Sequence, residues 1–295
     1  MRINKTMIKI LIVFCVLLAL ALFANWNNKA LVVTRYQYES KEVPESFDGF
    51  TVTQVSDLQS EYFGRHQKNL LQKTAETKPD IIVFTGDLLD RNHTDYEAGL
   101  TAIEGLTRIA PVYYINGNHE LALPEQRTTE FYEELRQMGV TVLFDQSAVL
   151  EKDGQQIHLV GISEYTLYDS KASTKRTSTD YDPSVITNMI DRLTEGIDAD
   201  EFTILLVHEP QFLEAYADEK VDLIFAGHAH GGQIRLPFTE GLFAPGQGVF
   251  PKLTSGMHKE GNTTMVISRG LGNSVFPLRL FNRPEIVVVD LKKGG

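Results

Sequence analysis

At 295 residues, 42% apolar and 23% charged, the chain has an ordinary globular composition and length enough for a sizeable core, which argues against a disordered class. A formal charge of −11, with no basic run interleaved with aromatics, gives no general field for gathering polyanions, so no nucleic-acid partner is expected. The single cysteine, Cys15, rules out an intrachain disulfide and a thiolate metal cluster; any metal site here must use nitrogen and oxygen ligands.

The chain opens with Arg2, Lys5 and Lys9 around the uncharged run "ILIVFCVLLALALFA" from Ile10 to Ala24. With Met7 and Ile8 the span approaches the about 17–25 residues that a bilayer-crossing helix needs. The basic flank belongs in the cytoplasm, which puts everything after Trp26 on the other side of the membrane. Residues 1–29 are therefore expected to form a membrane anchor, with a single-pass location in the cell membrane and an extracytoplasmic folded domain. A cleaved signal peptide is the rival, because Ala19-Leu20-Ala21 reads as a cleavage site, although the apolar run continues past it. Residues 30–49, containing "RYQYESKEVPESFDG", are expected to be a linker, and 50–295 the functional domain.

From Phe50 onward, short apolar runs recur, each closed by polar or glycine-rich residues, and these read as strands. They are "FTVTQVS" ending at Ser56, "DIIVFTG" ending at Gly86, "VYYINGN" ending at Asn118, "FTILLVH" ending at His208 and "DLIFAGH" ending at His228. Helical spacing over Gln67 to Thr77, Tyr96 to Arg108 and Glu125 to Met138 implies βαβ units with parallel strands. Later runs, "GQQIHLVGIS", "TTMVISRG" and "EIVVVDLKK", add strands with few helices between them. The Ser/Thr-rich "SKASTKRTSTDYD" is expected to be an exposed loop.

Each of the five strands releases Asp, Asn or His at its C-terminal end, where open α/β sheets place their ligands. The ends read Asp57-Leu58-Gln59, then Gly86-Asp87-Leu88-Leu89-Asp90, then Gly117-Asn118-His119-Glu120, then His208, then Gly227-His228-Ala229-His230. Singly, Asp87 could be a helix N-cap, Asn118 a turn residue and His208 a hydrogen-bonded strand histidine. Five coincidences in one order point instead to a shared site. Carboxylate, imidazole and amide ligands without thiolate suit hard-to-borderline divalent cations. Two such ions ~3.5–4 Å apart can clamp a phosphate and lower the pKa of a bridging water.

In the blocks D-x-[HQ], G-D-x-x-D, G-N-H-E, a lone His after a strand, and G-H-x-H, the sequence resembles the calcineurin-like metallophosphoesterase superfamily from roughly Phe50 to the C-terminus. The phrases "TGDLLD", "INGNHE", "FAGHAHGGQIRLP", "APGQGVFPK" and "SRGLGNSVFPLRLFNRPEIVVV" resemble its membrane-anchored bacterial branch, some members of which act on lipid-linked phosphates. The resemblance implies a four-layer αββα sandwich behind the N-terminal membrane helix. It also implies two divalent metals, manganese first, with iron, zinc or magnesium as alternatives. Asp87 would bridge them; Asp57, Gln59 and His230 would complete one site, and Asn118, His208 and His228 the other. His119 would stand outside both as the catalytic residue, protonating the leaving oxygen or steadying the phosphate. Asp90 and Glu120 would support the ligands rather than ligate, with an exposed carboxylate at a helix start as the alternative for Asp90.

Gln59 departs from the pattern, since most relatives carry His there. Its carbonyl is an uncharged, weaker donor, so a looser and more oxygen-preferring first site is expected. The substrate implied is a phosphodiester, pyrophosphate or phosphomonoester, lipid-linked or from the envelope. A general phosphodiesterase or nuclease is the alternative, and a non-catalytic scaffold of the same fold the third reading. The stretch "LPFTEGLFAPGQGVFPKL", with Phe238, Leu242, Phe243, Val249 and Phe250, is expected either to face lipid or the metals, or to be ordinary loop packing. Arg65, His66, His93 and Arg269 are candidates for touching a phosphate or head group, with plain surface charge as the alternative.

Overall fold

A computed structural model of the chain describes residues 5–170, 181–217, 220–236, 238–273 and 276–295. The expected Ser/Thr-rich loop falls mostly on 171–180, outside the described residues. In chain order the elements are α1 (Lys5–Lys29), β1 (Val32–Ser40), β2 (Thr51–Val55), α2 (Lys68–Glu76), β3 (Ile81–Thr85), α3 (Tyr96–Thr107), β4 (Val112–Ile115), α4 (Asn118–Leu121), α5 (Glu125–Gln137) and β5 (Thr141–Val142). There follow β6 (Gln146–Lys152), β7 (Gln155–Gly161), α6 (Glu164–Ser170), α7 (Pro183–Leu193), β8 (Thr203–Leu206), α8 (Leu213–Tyr216), β9 (Leu223–Ala226), β10 (Phe243–Ala244), β11 (Gly248–Val249), β12 (Gly256–Glu260), β13 (Thr263–Ile267) and β14 (Glu285–Lys293).

Two six-stranded sheets, ordered β1-β14-β2-β3-β4-β5 and β12-β13-β9-β8-β7-β6, pack face to face. Strand alternation shows how apolar runs without polar gaps give this result. Val83 of β3 and Ile204 and Leu206 of β8 point between the sheets. Their neighbours Ile82 and Phe84 point to a second cluster with Leu70 of α2, Ile103 and Leu106 of α3, and Phe131 and Leu135 of α5. On the far side Leu205, Ile224 and Met265 meet Leu167 of α6 and Ile186 and Ile190 of α7. Strands covered on both faces have no solvent side, so both alternating sets must be apolar. The result is the expected αββα sandwich. Helix starts agree with their sequence: Asp95 accepts from the Ala98 N–H ahead of α3, and Asp182 does the same for Ser184 ahead of α7, where Pro183 takes the first helical position.

Residues 30–49, expected as a linker, differ from that expectation. β1 pairs in parallel with β14 from Val32↔Glu285 to Ser40↔Lys293, and Val43 and Phe47 are fully buried between the sheets. As an edge strand β1 carries polar residues among its apolar ones, so its composition reads as a connector. α1 is 25 residues long, and its side chains from Lys5 to Leu22 are exposed. At 1.5 Å per residue it is about 37 Å long, enough to cross a bilayer.

Candidate metal centre

The five strand ends meet at one edge of the sandwich because β2 and β3 are neighbours in one sheet and β8 and β9 in the other, with β4 beside β3. The turns that follow are unusual in their backbone. Asp57, Gln59, Asp87, His228 and His230 all adopt positive φ, between 46° and 64°. Asp and His tolerate the left-handed region better than most residues, but each such position is held against about 1–3 kcal/mol of local strain. Glycines make room for them. A methyl group at Gly117 would overlap the Asp87 carboxylate, and one at Gly227 would overlap Ser56 Oγ and crowd Asp57.

Two triplets of ligand atoms result, Asp87–His208–His228 and Asp57–Asp87–His230, each with all its atoms within 4.8 Å of one another and all buried. Asp87 belongs to both. In the second half, His208 Nε2 lies 3.2 Å from Asn118 Oδ1, 3.4 Å from Asp87 Oδ2 and 3.2 Å from His228 Nδ1. The Nδ1–H of His208 donates to the Thr85 carbonyl at 2.8 Å, leaving Nε2 for the site. In the first half, His230 Nε2 is 3.5 Å from Asp57 Oδ1, and its Nδ1 faces the Gly272 carbonyl at 3.2 Å. The Asp57 carboxylate accepts from Ser56 Oγ at 2.6 Å and from the His228 N–H at 3.1 Å. Gln59 Nε2 donates to Asp87 Oδ2 at 2.7 Å, while its buried Oε1 has no hydrogen-bond partner among the described residues.

The charges are as strained as the backbone. Burial pushes the Asp57 carboxyl up to about 7, His208 opposing and Asp87 adding to the effect. Burial also acts on Asp87, but the His208 and His119 imidazoles outweigh it and hold its carboxyl well below the usual range. Burial would strip the proton from His208, yet the Asp87 carboxylate raises it well above the ordinary histidine value. Burial and the nearby Arg279 guanidinium lower His230 well below it. Buried carboxylates and imidazoles converging with an unpartnered amide oxygen are the donor set that divalent cations neutralise and satisfy.

Supporting residues surround these. Glu120 Oε2 accepts from the N–H groups of Asp87 and Gly117 at 3.0 and 2.8 Å, and Oε1 from Leu89 at 2.8 Å, so one carboxylate ties together the loops after β3 and β4. Asp90 closes its own turn, accepting from Asn92 and His93. His119 is buried, donates its backbone N–H to Asp87 Oδ1 at 2.9 Å, and has Nε2 3.9 Å from Asp87 Oδ2. Its Nδ1 accepts the Arg91 N–H at 3.2 Å, which puts the ring proton of the neutral form on Nε2, toward the site.

Of the other candidates, Arg269 is engaged by Glu285 at 2.8 Å, while Arg65, His66 and His93 are exposed. Sequence reasoning missed Arg279. It is fully buried, bonds the Gly272 and Arg269 carbonyls, and lies 3.3 Å from His230 Nδ1. The signal was available: a lone cation inside the apolar phrase "FPLRLF" has to snorkel or be buried with acceptors.

Residues 50–232 match the family described as calcineurin-like phosphoesterase. The chain is 34% identical over 265 residues to the uncharacterized metallophosphoesterase YkuE of Bacillus subtilis (strain 168), covering 88% of this chain and 85% of that protein. It is 30% identical over 218 residues to the phosphodiesterase YaeI of Escherichia coli (strain K12), covering 73% and 72%. Among solved structures, TT1561 of Thermus thermophilus aligns with a TM-score of 0.48 and 12% identity, over 75% of this chain and 90% of that one.

Proposed function

Starting from a chain that belongs to the calcineurin-like phosphoesterase family and is a metal-dependent phosphoric ester hydrolase, we propose that it cleaves a phosphodiester or pyrophosphate bond in a lipid-linked or envelope substrate at the outer face of the membrane that α1 crosses. The observation that carries the chemistry is Asp87 standing in both ligand triplets. In this reading Asp57, Gln59, Asp87 and His230 hold one divalent ion and Asp87, Asn118, His208 and His228 the other, Mn²⁺ being the ion best suited to the oxygen-rich first half. Bound there, the pair supplies an activated water and charge for the phosphate oxygens.

The rest falls to the chain itself. Thr85 and Gly272 carbonyls orient the two imidazoles, and Glu120 fixes the loops from which Asp87 and Asn118 emerge. His119 carries its proton on Nε2, facing the shared carboxylate, and from there hydrogen-bonds the departing oxygen or steadies the phosphate. The name of the relative YaeI supports the diester reading. The exposed apolar α1 supports a substrate held at a lipid surface.

The test is to assay the full chain, reconstituted with Mn²⁺, on lipid pyrophosphates, lipid phosphodiesters and nucleotide diesters. Higher kcat/KM on a lipid-linked substrate is expected. Preference for nucleotide diesters would overturn the substrate class, and hydrolysis of none would favour the scaffold.

A further inference from the structure

Three of the exposed phenylalanines have left-handed backbone: Phe238 at φ 69°, Phe250 at 54° and Phe281 at 54°. A bulky residue rarely takes this conformation, and folding alone gives no reason to strain a turn so that an aromatic ring faces water. Main-chain hydrogen bonds join the segments of Phe250 and Phe281, with Phe238 lying in the chain between Arg235 and Leu242. The Leu280 carbonyl accepts from Arg235 N at 3.0 Å, the Ile234 carbonyl from Leu242 N at 2.9 Å, and the Leu242 carbonyl from Phe250 N at 3.0 Å. Segments 280, 234, 242 and 250 thus lie side by side, a ribbon about 14 Å wide at the usual strand spacing. Phe238 and Phe250 line one open cleft together with Lys252. Leu236, Phe243 and Val249 on the same segments are 44%, 44% and 69% exposed. Side chains of this kind on one ribbon make an apolar patch that a free soluble surface seldom carries.

One end of the ribbon says what covers it. The Phe281 ring lies 5.7 Å from Phe23 of α1, and Phe23 lies 6.1 Å from Trp26. Arg283, two residues beyond Phe281, places its guanidinium 4.8 Å over the Trp26 ring. The helix end is locked to the same segment: Asn27 Nδ2 donates to the Arg279 carbonyl at 2.8 Å, and the Asn28 side chain bonds the Pro277 carbonyl and Arg279 N–H. Trp and basic residues at the end of an apolar helix mark the level of the lipid head groups.

Resting on the reading of α1 as a membrane anchor, we propose that the ribbon formed by Leu236, Phe238, Phe243, Val249, Phe250 and Phe281 is an apron that inserts into the bilayer beside α1, with a phospholipid surface as its partner. The apron and the first half of the metal centre form one piece. Asn282 Nδ2 donates to the His230 carbonyl at 2.7 Å and the Gln233 carbonyl at 3.1 Å, so the segment that bears the ligand is the root of the ribbon. Seating the apron on lipid therefore fixes the height of the centre above the bilayer and presents it to phosphates borne on lipid.

The experiment uses the full chain in vesicles of phosphatidylcholine and phosphatidylglycerol, labelled with an environment-sensitive fluorophore and challenged with nitroxide lipids. Native Cys15 reports on the anchor. In a Cys15→Ser background, Phe238→Cys and Phe250→Cys report on the apron, and Val149→Cys, 50% exposed on the outer strand of the second sheet, is the reference. Quenching at Cys15, 238 and 250 with little at 149 is expected. Quenching at Cys15 alone overturns the apron and leaves the anchor standing, while quenching at none of them removes both. A second readout is hydrolysis. The double change Phe238→Ser, Phe250→Ser should lower kcat/KM on vesicle-borne lipid phosphate by about tenfold, as two rings lose their apolar burial, and leave a soluble nitrophenyl phosphodiester unaffected. Equal loss on both substrates, or none on either, counts against the apron, and the quenching needs no turnover at all.

Discussion

In the half of the centre formed by Asp87, Asn118, His208 and His228, donor atoms already face one another at 3.2–3.4 Å, and a carbonyl behind His208 sets its ring. In the half formed by Asp57, Gln59, Asp87 and His230, the same kind of loop gives a different result. Gln59 turns its N–H toward Asp87 and leaves its oxygen unpartnered, and His230 has the buried Arg279 cation at its back. One half is thus set for a cation and the other must rearrange to receive it. Asp57, Gln59, Asp87 and His230 all have positive φ, whereas of the residues of the other half Asp87 and His228 do and Asn118 and His208 do not.

Among the described residues Asp87 is the one proposed ligand common to both halves, and its loss should therefore be the largest effect. Asp87→Asn keeps the size and an acceptor for the His119 N–H but removes the bridging charge. A fall in kcat/KM of at least about 10³-fold is expected, with metal content reduced in both halves. Loss of one equivalent of metal with the other bound at wild-type affinity would show that the halves do not share Asp87. His119, beside the shared carboxylate but outside both triplets, should come next. His119→Gln should cost about 10²-fold with a poorly leaving alkoxide and clearly less with nitrophenolate, which needs no proton. Equal losses would make His119 a phosphate-binding or structural residue.

The carboxylates of the two halves also differ in how they titrate when metal is removed. Burial holds the Asp57 pKa at about 7, above its ordinary 3.8, so its favourable contribution is complete below the ordinary value and fades as pH rises through about 7. Asp87 is depressed, so its contribution is present above the ordinary value and fades on acidification. Glu120, raised to about 8 chiefly by burial and then by the Asp87 charge, and His208, raised by Asp87 against burial, follow the sign of Asp57. In chelator, stability should fall by roughly 2–4 kcal/mol between about pH 5 and about pH 8, and saturating Mn²⁺ should remove most of that slope. Asp57→Asn should flatten it in part. A melting temperature independent of pH in chelator would break the electrostatic contrast between the halves.

How much of this was legible in the sequence follows from what each feature depends on. The ends of β2, β3, β4, β8 and β9 could be read because Asp, Asn or His stands where an apolar run stops, and a run buried on both faces is unbroken. The triplets Asp57–Asp87–His230 and Asp87–His208–His228 join residues that stand at those ends, and it was the resemblance that divided them between two sites. β1 was not legible, because its pairing partner β14 lies at the other end of the chain and an edge strand needs only one apolar neighbour. Runs of period two also leave open whether the strands form one doubly wound sheet or two facing ones; the resemblance, not the pattern, decided that. The bond from Gln59 to Asp87 and the place of Arg279 behind His230 depend on contacts between segments far apart in the chain, which no local pattern encodes.

Gln59 is the finest probe of the difference between the halves. For its Oε1 to reach a metal, the amide has to turn over and give up the 2.7 Å bond through which Nε2 holds Asp87 Oδ2. The residue is therefore poised between steadying the shared carboxylate and ligating, and the cost of turning is set against the gain of an uncharged oxygen donor. An imidazole in its place would offer a stronger nitrogen donor and lose no such bond. Gln59→His should tighten the first half by about tenfold, near 1.4 kcal/mol, and shift preference from Mn²⁺ or Mg²⁺ toward Zn²⁺, with the second half unchanged. Metal titration of the full chain followed calorimetrically, with metal content measured after dialysis, separates the two equivalents. Unchanged affinity and unchanged preference would mean that Gln59 never ligates and serves Asp87 alone, and the looser half would then have to be explained by Arg279 behind His230.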